Sequence, residues 1–219
     1  QAVAWGARLP RPQACPAHPI TPQTPVLEQL TEFQADGEFD AEIITPESEH
    51  SVMSACIPAS LAGVRVFTAT ASQGLLLMHE LLHYASGARA PIVMANVNRT
   101  VASPWAFWPD QTDSLAQRDT GWIQLYVETA QEALDSVIQA FRVAEAVLVP
   151  AMVNLDAFYV SHAMEPVEVP DPADVDAPDR DRDLLAGDLD GDLLTGVRHR
   201  EPVGVLRREL LELPPGGVQ

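Results

Sequence analysis

Val64-Arg65-Val66-Phe67-Thr68-Ala69, then Gln73-Gly74-Leu75-Leu76-Leu77-Met78-His79-Glu80-Leu81-Leu82-His83-Tyr84-Ala85, then Pro91-Ile92-Val93-Met94-Ala95-Asn96 is the stretch on which the fold turns. Its outer segments are short, rich in Val, Ile, Ala and Phe, and bounded by turn residues, as buried strands are. The middle segment has helix length, and its five leucines suit packing against a sheet. Working outward, Ala14 to His18, Ala41 to Thr45 and Val147 to Asn154 read as further strands. Pro25 to Gln34, Ser48 to Ala62 and Ala130 to Ala144 read as helices. Strands alternating with helices in this way predict an α/β fold: a doubly wound, mostly parallel sheet with helices on both faces.

The helix entry near Gln23 is marked by Thr21-Pro22 and Thr24-Pro25, each pairing a capping hydroxyl with a proline whose missing N–H costs nothing in a first turn. Between Val97 and Ile123 the periodicity lapses, in a stretch carrying Pro104, Trp105, Trp108, Pro109, Asp110 and Asp113. Loops of this length in small domains are often functional, so active-site lining is expected here. From about Glu165 the texture changes to Pro, Asp and Arg. The expected division is a binding domain over 1–165 and an acidic linker or tail over 166–219. Within the tail, Asp188-Leu189-Asp190-Gly191-Asp192 lacks the glycine position and closing Glu of a calcium loop, and Val205 to Leu213 could form a short amphipathic helix.

The formal charge is -18, from 31 acidic and 13 basic residues, and every basic residue is Arg. Such a field repels phosphate backbones and anionic lipid, which argues against nucleic acid and membrane partners. No apolar run approaches the roughly 20 residues of a spanning helix, and no leader is visible, so a cytoplasmic location is expected. The two cysteines, Cys15 and Cys56, are too few for an iron–sulfur cluster or a closed zinc site.

His79-Glu80-Leu81-Leu82-His83 matches HExxH, in which two histidines one turn apart bind zinc and the glutamate acts as base. A third ligand is wanting, since no His, Glu or Asp occurs between His83 and Asp110. The pattern therefore reads as a chance match on a sheet-packing helix, and a zinc peptidase is only a distant alternative.

Three segments each follow a predicted strand: Pro19-Ile20-Thr21-Pro22-Gln23-Thr24-Pro25, Glu47-Ser48-Glu49-His50-Ser51, and Asn98-Arg99. Ligands of open α/β sheets bind at the carboxyl ends of strands, so the three could build one pocket. These segments resemble the α subunits of pyruvate and related 2-oxoacid:ferredoxin oxidoreductases, and so do Thr68-Ala69-Thr70-Ala71-Ser72-Gln73-Gly74-Leu75, Arg118-Asp119-Thr120-Gly121-Trp122-Ile123-Gln124 and Ser161-His162 with Glu165-Pro166-Val167. The similarity runs in order from about Pro19 to Pro170.

The resemblance implies an α/β domain that binds the pyrimidine side of thiamine diphosphate. The implied reaction is oxidative decarboxylation of a 2-oxoacid, pyruvate first, to acyl-coenzyme A and CO2 with electrons passed to ferredoxin. It assigns the cofactor carboxylate to Glu49, where desolvation suits a group that must share a proton. Arg99 and Thr21 would hold the substrate carboxylate, a task for a cationic fork and a hydroxyl. Ser72, Gln73 and Gly74 would neighbour the cofactor, and His18 the substrate. On the residues alone, Glu49 could be a helix-start carboxylate, Thr21 a cap, Arg99 a solvated charge, and Ser72 to Gly74 a plain turn.

His18 stands where the family commonly has Tyr, and Asp110-Gln111-Thr112-Asp113 replaces Asp-His-Ser-Asp, which leaves the preferred 2-oxoacid open. No Gly-Asp-Gly element for magnesium and diphosphate and no CxxC pattern occurs. The resemblance implies that Mg2+ and [4Fe-4S] clusters reside on partners, a β subunit and ferredoxin-like γ and δ subunits. A catalytically idle assembly subunit is the alternative within the same complex. Because it begins at Gln1, partway into what resembles the family's first helix, the chain reads as a fragment or short form.

Overall fold

The computed structural model describes residues 1–176. The calcium-like run at Asp188 and the segment Val205 to Leu213 lie outside the described residues.

Among the described residues six strands carry the architecture: β1 (Ala14–Pro16), β2 (Glu42–Ile44), β3 (Phe67–Ala71), β4 (Val93–Asn98), β5 (Ile123–Val127) and β6 (Ala151–Asp156). All pairings are parallel. β1 pairs with β2, and the other four run in the order β3-β4-β6-β5, with a single parallel bridge from Ala14 to Val66 linking the two groups. The doubly wound α/β fold is therefore as the strand–helix alternation predicted.

Side-chain alternation along the central strands separates two cores, because successive residues point to opposite faces. Val93, Ala95 and Val97 of β4, with Ala151, Val153 and Leu155 of β6, meet α1 (Ala2–Arg8), α2 (Thr24–Ala35) and α7 (Ala130–Val147). Met94 and Met152 meet the other layer, formed by α3 (Glu49–Leu61), α4 (Ser72–Leu77) and α5 (His79–Gly87). On this second face the carboxyl ends turn polar. Thr70, Asn96 and Asn154 lie in register across three strands, fully or almost fully buried, and Asn96 Nδ2 donates to Asn154 Oδ1 at 3.1 Å.

Several elements depart from the prediction, among them α1 and the short helix over Thr112–Leu115, where the periodicity predicted no helix. The caps expected of Thr21 and Thr24 are absent: α2 starts after Gln23 without a side-chain cap, because the backbone N–H groups of Gln23 and Thr24 both bond Ile20 O. The helix predicted over Gln73 to Ala85 is two helices, α4 and α5, separated at Met78. The strand predicted from Val147 starts at Ala151. Val147 ends α7, and Leu148 takes the left-handed conformation that stops it. β5, which starts where the stretch without periodicity ends, was not predicted because it is an edge strand of partial burial, with polar Gln124 and Tyr126 interleaved.

Within the predicted tail, residues 166–176 are described. Glu168 exchanges hydrogen bonds with Gln131 of α7, Arg142 Nη2 donates to Val175 O, and α8 (Pro172–Asp176) closes the described chain. Among the described residues no helix is long and apolar enough to cross a membrane.

Candidate active site

Every predicted site residue follows the carboxyl end of a strand on the parallel sheet. Glu49 opens α3 immediately after Ser48, whose Oγ accepts the Ser51 N–H at 3.3 Å and caps the helix. Glu49 is only 9% exposed and packs against Gly74. None of the described residues donates a hydrogen bond to its carboxylate, although buried carboxylates normally have partners. Glu47, by contrast, is exposed and accepts from Ser51 Oγ at 2.6 Å, which holds its carboxyl below the usual range.

The turn from β3 into α4 puts three consecutive residues against three different groups. Gly74 faces Glu49: a Cβ there would lie 2.7 Å from Glu49 Oε1 and 2.5 Å from Thr70 Oγ1. Only a residue without a side chain permits that approach. Gln73 faces Arg99, its Oε1 accepting from Nη2 of the guanidinium, while its Nε2 donates to Val101 O at 2.5 Å. Ser72 is fully buried with φ +47, a left-handed conformation uncommon outside glycine. Its Oγ lies 2.6 Å from both Thr100 O and Gln73 Oε1, which compete for its one proton, and its N–H donates to Asp113 Oδ2 at 3.0 Å.

Arg99 reaches across two loops, its Nη1 donating to the carbonyl of Thr21 and its Nη2 to Gln73. Thr21, Gln73 and Arg99 are thus brought together, and Ser72 and Gly74 join them to Asp113 and Glu49. Partial burial lowers the Arg99 pKa from its usual value, with the Asp113 charge opposing. Beside the guanidinium lies a cavity of about 380 Å³ lined by Gln73, Arg99, Thr100, Trp105, Ala106 and Phe107, with the Phe107 ring 5.6 Å below the guanidinium carbon. The long loop therefore does line the Arg99 cleft, and its Trp105 is 77% exposed.

His18 is not drawn into this network. Its Nδ1 lies 2.9 Å from Pro46 O, beside Glu47 on the neighbouring loop. A larger cavity of about 640 Å³ lies among Trp5, Pro22, Val26, Val97, Leu155 and His162, on the opposite layer. None of the predicted site residues lines it.

The zinc pattern resolves as helix surface. His79, Glu80 and His83 are exposed, the two imidazoles meet edge to face 5.1 Å apart, and His79 Nδ1 is tied to Gln117 Oε1 at 2.6 Å. Among the described residues no group of three His, Cys, Asp or Glu could hold a metal ion.

Sequence reasoning counted Asp113, on the short helix α6 (Thr112–Leu115), among the residues of an active-site-lining loop but did not foresee its burial. The residue is fully buried, and burial raises its pKa against the opposing pull of N–H donors from Ser114, Arg99 and Ser72. An acidic residue in a stretch without periodicity gives no sign of burial, so only the fold could reveal it.

A parallel α/β sheet whose strand ends gather a nearly buried carboxylate, Glu49, against Gly74, and a guanidinium, Arg99, against Gln73, is an arrangement that suits the thiamine-enzyme class. Residues 6–190 match the family described as "Pyruvate flavodoxin/ferredoxin oxidoreductase, thiamine diP-bdg", and the chain belongs to that family. It is 58% identical over 179 residues to a pyruvate synthase subunit PorA of Methanothermobacter thermautotrophicus, covering 81% of this chain and 47% of that protein. It is 57% identical over 168 residues to a ketoisovalerate oxidoreductase subunit VorA of Pyrococcus furiosus, covering 77% and 43%. The chain thus spans about half the length of the curated relatives it matches. Among solved structures, a 2-oxoglutarate:ferredoxin oxidoreductase from Magnetococcus marinus with 2-oxoglutarate, coenzyme A and succinyl-CoA bound aligns with a TM-score of 0.69 at 25% identity, over 79% of this chain and 31% of that one. A thiamine diphosphate-dependent 4-hydroxybenzoylformate decarboxylase from Rhodococcus jostii, at 15% identity and a TM-score of 0.60, shares the fold.

Proposed function

We propose that this chain supplies the pyrimidine side of a thiamine diphosphate site and part of the substrate pocket in a 2-oxoacid:ferredoxin oxidoreductase acting on pyruvate or a near analogue. The observation that carries this reading is the Glu49 carboxylate, almost buried, without a donor among the described residues, and lodged against the one position in α4 that lacks a side chain. A carboxylate largely enclosed by the fold and without a donor of its own is available to an incoming nitrogen donor, and the pyrimidine ring of the cofactor carries one.

Bound thiamine diphosphate would supply a carbanion nucleophile for the 2-oxo group, formed by loss of a ring C–H proton, and a sink for the electron pair left by CO2. Glu49 would share a proton with the pyrimidine nitrogen. Arg99, preset by Thr21 O and Gln73 Oε1, keeps N–H groups for the substrate carboxylate, and Thr21 would add its hydroxyl. Ser72, Gln73 and Gly74 form the wall between the two. His18, one loop away, would act on the outer edge of the substrate pocket.

Magnesium, the diphosphate contacts and [4Fe-4S] clusters would come from a β subunit and ferredoxin-like γ and δ subunits, with coenzyme A as acyl acceptor and ferredoxin as electron acceptor. We place the complex in the cytoplasm and read residues 1–165 as the binding domain, with 166–219 as its appendage.

The test is reconstitution with the β partner and measurement of 2-oxoacid- and coenzyme A-dependent viologen reduction. Pyruvate, branched-chain 2-oxoacids and 2-oxoglutarate should be compared, because relatives named for pyruvate and for ketoisovalerate are equally similar. Glu49→Gln should lower kcat by about 10²-fold or more, the usual contribution of a positioned proton-transfer group. Full activity in that variant would refute the mechanism and leave an assembly role.

A further inference from the structure

Asp113 is the buried group for which the site described so far has no use. Its Oδ2 accepts the backbone N–H of Ser72 at 3.0 Å and that of Arg99 at 3.2 Å. Its Oδ1 accepts Asn98 Nδ2 at 2.9 Å and the Ser114 N–H at 2.7 Å. Ser72 and Arg99 stand just beyond the carboxyl ends of β3 and β4, which are adjacent and parallel. One oxygen atom bonded to both amides therefore fixes the separation of the two loops that carry Gln73 and Arg99.

The consequence reaches the guanidinium from both sides. The backbone from which the Arg99 side chain leaves is held by Asp113. The turn that aims Gln73 Oε1 at Arg99 depends on Ser72, a non-glycine residue at positive φ whose N–H is held by the same oxygen. Backbone conformations of this kind persist only where the surroundings over-determine them. A carboxylate buried at the cost of desolvation, and given four donors, is a costly way to build a plain loop. An amide at the same place offers one acceptor oxygen and turns an NH2 group toward N–H donors, so it cannot substitute.

We propose that Asp113 is a positioning residue for 2-oxoacid binding: by clamping the Ser72 and Arg99 amides it holds the Arg99 fork in the orientation that meets the substrate carboxylate. The inference rests on the assignment of Arg99 to the substrate. Asp113 itself touches no substrate, and its effect is transmitted through backbone.

The test uses the reconstituted complex with Asp113→Asn. The KM for the preferred 2-oxoacid should rise on the order of 10- to 100-fold, as for an angstrom-scale displacement of a binding group. The kcat at saturation should stay within about threefold, and the KM for coenzyme A should not move. Hydrogen exchange followed by mass spectrometry should show lost protection at the Ser72 and Arg99 amides. Should Asp113→Asn fail to fold, Asn98→Ala, which keeps the carboxylate and removes one donor, must show the same KM-selective pattern at reduced size. A wild-type KM with reduced kcat, the signature of lost active protein, overturns the proposal, and so does unchanged exchange at both amides. In parallel, Arg99→Ala with an unchanged KM overturns the substrate assignment of Arg99 and this proposal together, whereas an unchanged KM in Asp113→Asn alone overturns only the proposal.

Discussion

Glu49 Oε1 lies 2.7 Å from the position that a methyl group on Gly74 would occupy, and Thr70 Oγ1 lies 2.5 Å from the same point. The carboxylate and the glycine belong to two helices that start beside one another on one face of the sheet, and their contact leaves no room for a side chain. Gly74→Ala should therefore displace Glu49 while the helix, if anything, gains intrinsic propensity. In the reconstituted complex we expect a loss of about 10²-fold in kcat, comparable to misplacing a catalytic group by an angstrom. Thermal unfolding of the same variant should show a cooperative transition. Retained activity would mean that Glu49 is not positioned by this contact.

Arg99 provides a second, separable test. Its guanidinium spans Thr21 O and Gln73 Oε1 with two nitrogens, a geometry that a lysine ammonium cannot reproduce. Arg99→Lys should raise the KM for the 2-oxoacid about 10- to 100-fold, with a smaller change in kcat, because the lost interaction is present in the bound substrate as well as in the transition state. Steady-state kinetics over a wide 2-oxoacid range would decide. An unchanged KM would exclude Arg99 from the carboxylate.

The fold was largely legible because its central strands are buried on both sides and read as continuous apolar runs, as in Val64 to Ala69 and Pro91 to Asn96. β5 was not legible, because an edge strand with Gln124 and Tyr126 exposed or half-exposed lacks that signal. The site residues were named through family resemblance, and the structure assembles Thr21, Ser72, Gln73, Gly74, Glu49 and Arg99 around one turn. His18 stands apart because its ring is engaged by Pro46 O. The burial of Asp113 and of the Asn96–Asn154 pair escaped because no local pattern marks a polar side chain as buried. For the asparagines the register between β4 and β6 reveals it, and for Asp113 the donors around its carboxylate.

The HExxH pattern yields a prediction of no effect. His79 and His83 are exposed, and their rings face each other rather than a shared ligand position. His79→Ala should leave 2-oxoacid oxidation unchanged and should not alter metal content measured by elemental analysis. It removes the partner of the buried Gln117 Oε1, so a stability loss of about 1 kcal/mol is expected. Stoichiometric zinc lost in this variant would overturn the surface reading.

The last prediction concerns pH. Cys15 in β1 and Cys56 in α3 are free and buried, and desolvation pushes the Cys15 thiol up to about 12 and the Cys56 thiol higher still, each from an ordinary value of 9.0. A thiol raised in the folded state favours folding fully below its unfolded pKa, and that contribution is lost as pH climbs toward the folded one. The window therefore opens near pH 9 and extends to about 12. Across it, each thiol should cost about 1.4 kcal/mol of stability per pH unit. The chain has no lysine, and its tyrosines are exposed, so the two buried thiols have the most to gain from unfolding in this range. Urea midpoints should fall between pH 9 and 11, and the slope should flatten in a Cys15→Ala/Cys56→Ala double variant whatever its starting stability. At pH 8 neither thiol should react with a maleimide until denaturant is added. Rapid native labelling of either cysteine would contradict the burial on which the pH argument stands.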